Sequence, residues 1–200
     1  MDIFYHHRPD NDTPLEETMG ALDQIVKSGK ALYVGLSNYN GEQMKKASQI
    51  LKSLNCPFII NQNRYSILDR TVEKNGILDA CIEEKKGMIV YSPLEQGILS
   101  DKYLLGIPQN SRIRTSGIYL TEKSLNPQLL EKISQLNLIA KERGETLAQM
   151  ALSWVMRSPA VTSVLIGASS IEQIKENCKI NNSAPFSKEE LKAIDEISNI

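Results

Sequence analysis

The chain contains 200 residues, of which 41% are hydrophobic and 24% are charged, as in ordinary globular proteins, so a fibrous or disordered chain is excluded. Its 23 lysines and arginines and 24 acidic residues leave a formal charge of −1, which provides no overall basic field for a nucleic acid or an anionic membrane. We therefore expect neither of these as a partner.

Targeting segments, metal sites and disulfide frameworks are not predicted either. The longest apolar runs, such as residues 163–168, are far shorter than the roughly 18 residues that span a bilayer, and no signal-like segment follows Met1. These observations predict a cytoplasmic protein. The three cysteines are odd in number and widely spaced, so we interpret them as reduced packing residues: Cys56, Cys81 and Cys178.

The first half of the chain alternates predicted strands and helices. β-branched and aromatic residues predict a strand over residues 2–7, which ends at a proline-containing turn. Thr13 and Glu16 have the spacing of a capping box and predict a helix that extends to about Lys27. Apolar periodicity then predicts the following elements: strand 31–37, helix 41–54, strand 58–62, helix 72–85 and strand 87–92.

The alternation is interrupted after residue 92. Residues 94–126 are too long for an ordinary connection and predict a functional loop. Two helices over 127–143 and 147–157 and a strand over 161–166 follow. Ser170 is the predicted N-cap of a helix over 171–179, and a capping box from Ser187 to Glu190 begins a terminal helix.

Apolar strands separated by amphipathic helices predict an α/β fold with a parallel sheet, in one domain over residues 1–200. Two architectures remain open. A doubly wound sheet suits five strands, but none of the turns carries the glycine-rich dinucleotide fingerprint that such a sheet often uses. A (β/α)8 barrel needs eight strands and typically about 250 residues, so five units cannot close one.

Motifs at the strand ends resemble those of the aldo-keto reductase family, in the branch that holds glyceraldehyde 3-phosphate reductase-like enzymes and potassium-channel β subunits. Together they cover essentially the whole chain in the family's order. The matching strings are D-I-F-Y-H-H-R-P-D at 2–10, G-K-A-L-Y-V-G-L-S-N at 29–38, I-I-N-Q at 59–62, V-Y-S-P-L-E-Q-G-I-L-S-D-K-Y at 90–103, G-I-P-Q-N-S-R at 106–112, A-Q-M-A-L-S-W at 148–154 and S-V-L-I-G-A-S-S-I-E-Q-I-K-E-N at 163–177.

The resemblance implies a partial (β/α)8 TIM barrel with strands four to eight and their helices. The chain would be a single NADP(H)-binding domain over residues 1–200 that lacks the first three β/α units. Such a partial barrel would leave two open sheet edges. We therefore expect either a complementing N-terminal half or a homo-oligomer as partner.

The resemblance also implies residues around the nicotinamide ring. His7 matches the histidine that orients the substrate carbonyl. Ser37, Asn38 and Gln62 match the residues that hold the carboxamide, a group with one acceptor and two donors. Tyr91 matches the aromatic residue that stacks on the nicotinamide.

The resemblance also implies residues that contact the pyrophosphate and adenosine of the cofactor. Those that follow the predicted strand 87–92 are Ser92, Pro93, Leu94, Gln96, Lys102 and Arg112. Those near the chain's end, where the family holds the adenosine and its 2'-phosphate, are Gly167, Ser169, Gln173, Glu176 and Asn177. A helix start is a ready anion site, although ordinary capping by Ser170 explains the same residues. Gln173 stands where many family members have arginine.

The activity implied is NADP(H)-dependent reduction of a small aldehyde or ketone by hydride transfer. The family's proton-donating tyrosine and its lysine and aspartate partners have no counterpart among the matched motifs, and loss of a general acid typically costs 10² to 10⁴-fold in rate. We therefore expect little activity from this chain alone. The alternatives are a non-enzymatic NADP(H)-binding or interaction protein and a truncated remnant.

Overall fold

The computed structural model describes residues 1–104, 106–109, 112–115, 121 and 124–198, without the side chains of Arg112 and Thr115. The chain forms two compact units. We call them the sheet unit, which comprises Met1–Tyr65, Asp69–Tyr91 and Ser158–Leu165, and the helical unit, which comprises the rest. Whether they constitute the single domain expected above stays a prediction.

The sheet unit contains five strands and four helices. In chain order they are β1 (Ile3–His6), α1 (Leu15–Lys27), β2 (Tyr33–Ser37), α2 (Gly41–Ser53), β3 (Phe58–Arg64), α3 (Thr71–Lys74), α4 (Ile77–Glu83), β4 (Gly87–Tyr91) and β5 (Val161–Val164). All four neighbouring strand pairs are parallel, and the sheet order is β1-β2-β3-β4-β5. The predicted α/β fold with a parallel sheet is confirmed. This order lacks the reversal that defines a doubly wound sheet.

The two faces of the sheet differ in burial. One face is fully buried at its centre, through Val34, Leu36, Met88 and Val90. The apolar sides of α1, α2 and α4 supply buried residues to the same unit, including Met19, Met44, Leu51 and Ile77. The second face carries half-buried residues on β3 and β4, which are Ile60, Gln62, Ile89 and Tyr91. The strand alternation therefore directs Gln62 and Tyr91 away from the fully buried face.

The capping box predicted at Thr13 is wrong. Helix α1 begins at Leu15, with Pro14 at the N-cap position and no side-chain cap. The Thr13 hydroxyl donates a hydrogen bond of 2.7 Å to the Asp10 carboxylate, which also accepts from the Asp12 N–H. A carboxylate three residues earlier is the stronger acceptor, so Thr13 closes the preceding loop and leaves the helix uncapped.

The single helix predicted over residues 72–85 is also wrong. Two helices, α3 and α4, flank Gly76, which has a φ of 75°. A left-handed residue cannot continue a right-handed helix, and glycine adopts that conformation without steric cost. The first turn of α2 packs against this break, because the Gly41 N–H donates to the Asn75 carbonyl at 3.0 Å.

Helix α2 has the capping box that α1 lacks. The Asn40 side chain accepts from the Gln43 N–H at 2.9 Å, and the Gln43 side chain accepts from the Asn40 N–H at 3.2 Å. We expect Asn40→Ala to lower the free energy of unfolding by about 1 kcal/mol, measured by urea denaturation. Thr13→Ala is the matched control, with a smaller expected loss because Thr13 caps no helix. Equal losses would contradict this assignment.

The helical unit contains the remaining described helices. They are two 3-10 turns (Glu95–Gly97 and Asp101–Tyr103), α5 (Arg112–Thr115), α6 (Pro127–Glu142), α7 (Leu147–Met156), α8 (Ile171–Cys178), a 3-10 segment (Lys179–Asn182) and α9 (Lys188–Ser198). The capping box at the start of α9 is confirmed, because Ser187 and Glu190 exchange side-chain and backbone hydrogen bonds of 2.6 and 3.1 Å.

A buried arginine connects several segments of the helical unit. The Arg143 side chain is 4% exposed and forms ion pairs with Glu145 and Glu190. Its guanidinium also donates to the Ala184 carbonyl at 2.7 Å and lies 3.9 Å from the ring centroid of Phe186. One side chain thereby joins the end of α6, the loop before α7 and the start of α9.

The packing role predicted for the cysteines is confirmed for two of them. Cys56 and Cys81 are buried, and burial raises the pKa of the Cys81 thiol to about 12. The prediction is wrong for Cys178, which is exposed at the end of α8. The described residues contain no group of three potential metal ligands. No helix in the described part of the chain is long and apolar enough to cross a membrane.

Candidate functional site

Four predicted site residues lie at the carboxyl ends of neighbouring strands in the sheet unit. Ser37 ends β2, Gln62 lies near the end of β3, and Tyr91 ends β4, with Asn38 directly after Ser37. Parallel strands bring their carboxyl ends to one edge, so residues from three separate chain segments meet there. The Ser37 hydroxyl donates to the Gln62 carbonyl at 2.9 Å, as does the Asn38 N–H.

Asn38 connects this group of residues. Its side-chain amide donates to the His7 carbonyl at 2.8 Å and to the Ser37 hydroxyl at 3.1 Å. Its side-chain oxygen accepts from the Tyr91 hydroxyl at 2.8 Å. Asn38 therefore joins four of the five strand ends, three through its side chain and the end of β3 through its backbone N–H. We call this set the strand-end network: His7, Ser37, Asn38, Gln62 and Tyr91.

Tyr5 packs beside the strand-end network, and the sequence reasoning did not predict it as part of the site. Its ring lies against Gly35, where a Cβ atom would be 2.4 Å from the Tyr5 ring. Burial raises the pKa of Tyr5, and the nearby Gln62 side chain lowers it by less. The available signal was Gly35 itself, because a glycine within an apolar strand often marks a close approach.

The two histidines at the end of β1 have different surroundings. His7 is exposed, and its carbonyl is the atom that Asn38 contacts. His6 is half-buried, and its Nδ1 atom lies 2.8 Å from the hydroxyl of the fully buried Tyr39. Burial lowers the pKa of His6, a nearby Asp10 charge raises it by less, and His7 lowers it further. His6 thus has a packing partner, whereas His7 leaves its imidazole accessible.

The segment after β4 belongs to the helical unit and has an unusual backbone. Ser92, Glu95 and Gln96 all have φ values between 46° and 58°, a region that non-glycine residues rarely adopt. Glu95 is 7% exposed and accepts from the Ser66 hydroxyl at 2.8 Å. Backbone strain of this kind concentrates at functional sites.

The predicted residues of this segment differ in exposure. Pro93 is buried, Ser92, Leu94 and Gln96 are half-buried, and Lys102 is exposed. The Lys102 ammonium lies 6.0 Å from the ring centroid of Tyr103. Arg112 begins α5, and its side chain lies outside the described residues.

The second group of predicted residues lies around the start of α8 in the helical unit. The predicted N-cap at Ser170 is confirmed, because its side chain accepts from the Gln173 N–H at 3.2 Å. The Gln173 side chain accepts from both the N–H and the hydroxyl of Ser169, at 2.8 and 3.2 Å. Gly167 is exposed and Asn177 is buried. Glu176 forms an ion pair of 2.6 Å with Lys179.

A cavity of about 620 Å³ in the helical unit has a different lining. Its walls come from the end of α7, the segment before α9 and α9 itself, and its largest apolar side chains are Met156, Ile180, Phe186 and Leu191. The predicted site residues form no part of this lining. Because the predicted site residues meet in the polar strand-end network and not in this cavity, the strand-end network is the candidate functional site.

Comparison with known proteins shows a consistent likeness. The model of the Aldo/keto reductase family matches residues 1–199. The L-glyceraldehyde 3-phosphate reductase of Escherichia coli (strain K12) is 47% identical over 98% of the chain and 58% of its own length. The "Putative voltage-gated potassium channel subunit beta" of Schizosaccharomyces pombe is 35% identical over all of the chain and 59% of its own length.

Solved structures show the same likeness. The crystal structure of a thermostable aldo-keto reductase in complex with the inhibitor epalrestat has a TM-score of 0.71 and 27% identity. The match covers 98% of the chain and 60% of that protein. The chain thus spans somewhat less than two thirds of the length of these relatives.

Proposed function

The chain belongs to the aldo/keto reductase family, and from this premise we propose that it binds NADP(H) and serves hydride transfer to a small aldehyde or ketone. The observation that carries the proposal is the strand-end network, in which residues from four strand ends are joined by hydrogen bonds at one edge of the sheet. Active sites of parallel α/β folds lie at this edge.

The proposed architecture is a partial (β/α)8 barrel with strands four to eight and their helices. The consecutive order of five parallel strands supports it, because barrel strands follow one another around the sheet in chain order. The TM-score of 0.71 to a solved aldo-keto reductase supports it too. The half-buried second face, which carries Gln62 and Tyr91, would then be the face that lines the barrel interior.

The strand-end network fits the nicotinamide end of the cofactor chemically. A carboxamide needs donors and acceptors in one plane, and Ser37 and Gln62 provide hydroxyl and amide groups there. Tyr91 provides a half-buried aromatic ring on the same face, suited to stacking. When bound, the reduced nicotinamide would supply the hydride. His7, with its exposed imidazole, would orient the substrate carbonyl.

The phosphates and adenosine of the cofactor would be held by the helical unit. Lys102 offers an exposed ammonium, and the hydroxyl of Ser169 lies beside the start of α8. Gln173 shapes this turn through its bonds to Ser169, which makes a direct contact between Gln173 and a 2'-phosphate less favourable than an arginine would be. The residues proposed for this end are Ser92, Pro93, Leu94, Gln96, Lys102, Arg112, Gly167, Ser169, Gln173, Glu176 and Asn177.

Turnover by these 200 residues is proposed to be weak. The matched motifs assign a carbonyl-orienting histidine but no proton-donating tyrosine, and a positioned general acid typically contributes 10² to 10⁴-fold. A second candidate function is non-enzymatic NADP(H) binding, favoured by the 35% identity to a channel subunit. The two candidates share cofactor binding and differ in turnover.

A partner chain is the last part of the proposal. Among the described strands, β1 pairs only with β2 and β5 only with β4, so each leaves one side of its backbone open. Open edges favour pairing with a further strand. We propose that a complementing polypeptide of the same family or a second copy of the chain covers them. A single monomeric species in analytical ultracentrifugation, at concentrations that support NADPH binding, would oppose the second copy.

Fluorescence titration with NADPH tests the cofactor proposal. We expect saturable binding by the purified protein, with a threefold to tenfold weaker affinity in Tyr91→Ala, since an aromatic contact contributes roughly 0.5 to 1.5 kcal/mol beyond burial. Tyr33→Ala is the matched control, because Tyr33 lies at the opposite end of β2 and is 40% exposed. Absence of NADPH binding would remove the proposal. Binding without oxidation of NADPH by an added aldehyde would favour the non-enzymatic candidate.

A further inference from the structure

We propose that the cavity of about 620 Å³ in the helical unit binds an alkyl monocarboxylate, such as decanoate, with the carboxylate at Arg157 and the alkyl chain against the apolar wall. This site is separate from the proposed cofactor site, because none of the predicted cofactor residues lines the cavity. Its basis is the size and lining of the cavity, the charge that the lining carries, and the contacts that hold Arg157.

The cavity has the size and lining of a small-molecule site. Such sites commonly have volumes of roughly 300 to 1,000 Å³ and combine an apolar wall with a few polar groups. The apolar wall here comes from the end of α7, the 3-10 segment after α8, the loop before α9 and α9 itself, through Met156, Ile180, Phe186 and Leu191. Met156 is 38% exposed, so an alkyl chain in the cavity would remove apolar surface from water.

The charge of the lining favours an anion. Among the described residues that line the cavity, Arg157 is the only one with a formal charge. A second cation, Arg143, lies 3.9 Å from the ring centroid of Phe186, but it forms ion pairs with Glu145 and Glu190. The head group should therefore be a carboxylate, because its two oxygens match the forked donors of a guanidinium.

Arg157 is held at the cavity by its own helix. Its guanidinium lies 3.6 Å from the ring centroid of Trp154, and its Nη1 donates to the Trp154 carbonyl at 2.8 Å. Stacking on an aromatic face restricts the plane of the guanidinium. Trp154 is the single tryptophan of the chain and is fully buried, so its fluorescence should respond to a change at Arg157.

Two serines add hydroxyl groups to the same lining. Ser153 lies one helical turn before Arg157 on α7, and residues four apart share a helix face. The Ser153 hydroxyl donates to the Ser183 hydroxyl at 2.8 Å. Because Ser183 accepts this bond, its own O–H is directed to another acceptor, which a carboxylate oxygen would provide.

Calorimetric titration of the purified chain with hexanoate, octanoate and decanoate tests the proposal. We expect saturable binding that becomes about fourfold tighter for each methylene buried, with a change in Trp154 emission that saturates at the same ligand concentration. Decan-1-ol lacks the charge and acetate lacks the chain, so each should bind roughly tenfold more weakly than decanoate, or worse. Absence of saturable decanoate binding, or equal affinities for decanoate and decan-1-ol, would overturn the proposal.

Two variants locate the ligand. Arg157→Gln removes the charge and should weaken decanoate binding roughly tenfold, with little change for decan-1-ol. Met156→Glu places a second carboxylate on a solvent-facing part of the wall and should weaken decanoate binding by a similar factor. Lys188→Gln is the matched control, because Lys188 is an exposed cation on α9 that does not line the cavity. Unchanged decanoate affinity in either cavity variant, or an equal loss in Lys188→Gln, would contradict binding at this site.

Discussion

Gly41→Ala is expected to lower the free energy of unfolding by roughly 3 kcal/mol or more, an effect at or beyond the upper end for overpacking. Gly41 is the first residue of α2, and a Cβ atom there would lie 2.3 Å from the carbonyl oxygen of Gly76 and 2.5 Å from its carbonyl carbon. These are backbone atoms held by the Gly41–Asn75 hydrogen bond, so no side-chain rotation can relieve the clash. Urea denaturation followed by circular dichroism measures the loss.

Gly20→Ala is the matched control for this substitution. Gly20 lies within α1, and a Cβ atom there would meet no atom within 4 Å. Alanine is the better helix former, so we expect the variant to be more stable by about 0.5 to 1 kcal/mol. Similar stability changes for the two glycines would contradict the close approach of α2 to the α3–α4 break.

Arg143→Ala is the second substitution with a large expected effect, about 3 kcal/mol. It removes two ion pairs, a hydrogen bond to the Ala184 carbonyl and the contact with Phe186 from a side chain that is only 4% exposed. Glu145, with a 10% exposed side chain, would then keep a charge without its cation. Arg143→Lys retains the charge but cannot reproduce the forked contacts, so it should be intermediate.

The effect of Arg143 should depend on pH. Burial alone raises the pKa of Glu190, but hydrogen bonds from the Ser187 N–H and from Arg143 outweigh it, so the pKa is lowered overall. A carboxylate with a lowered folded-state pKa stabilises the fold above its unfolded pKa, and this stabilisation is lost as the pH falls through the folded value. The difference in free energy of unfolding between the unsubstituted protein and Arg143→Ala should therefore become smaller at pH values below the ordinary pKa of glutamate.

An exposed ion pair provides the control for the arginine variants. Lys46 and Glu42 form a 2.7 Å pair with side chains that are 64% and 76% exposed. Exposed pairs gain little from Coulomb attraction in water, so Lys46→Ala should leave stability nearly unchanged. Comparable losses of stability in Lys46→Ala and Arg143→Ala would show that the burial of Arg143 is not the reason for its large contribution.

Apolar patterning was sufficient to predict the strands. The predicted starts at Phe58, Gly87 and Val161 coincide with those of β3, β4 and β5. The predicted end of β2 at Ser37 also coincides, whereas the other four strands end one or two residues from their predicted positions. Strand β3 extends two residues further than predicted, because polar residues such as Asn63 continue its ladder. Asn63 lies buried and donates to the Tyr39 carbonyl, so tertiary contacts compensate a residue that disfavours strands.

The sequence could not predict interactions between distant segments. Thr13 has a capping signature, but its hydroxyl bonds to Asp10, a choice that depends on loop geometry. Cys178 lies in an amphipathic pattern, yet which side of α8 is covered depends on its neighbours. Similarly, Asn38 and Tyr91 were each predicted as site residues, while the bond between them requires a fixed register across β3.

The length of chain between β4 and β5 has a kinetic consequence. Neighbouring strands from β1 to β4 are joined by connections of 20 to 26 residues, whereas residues 92–160 lie between β4 and its partner β5. Closing a longer loop costs more chain entropy, by about 0.6 kcal/mol for each doubling of its length. Pairing of β5 is therefore expected to be the slowest step in assembling the sheet, and pulse-labelled amide exchange during refolding should protect β5 last.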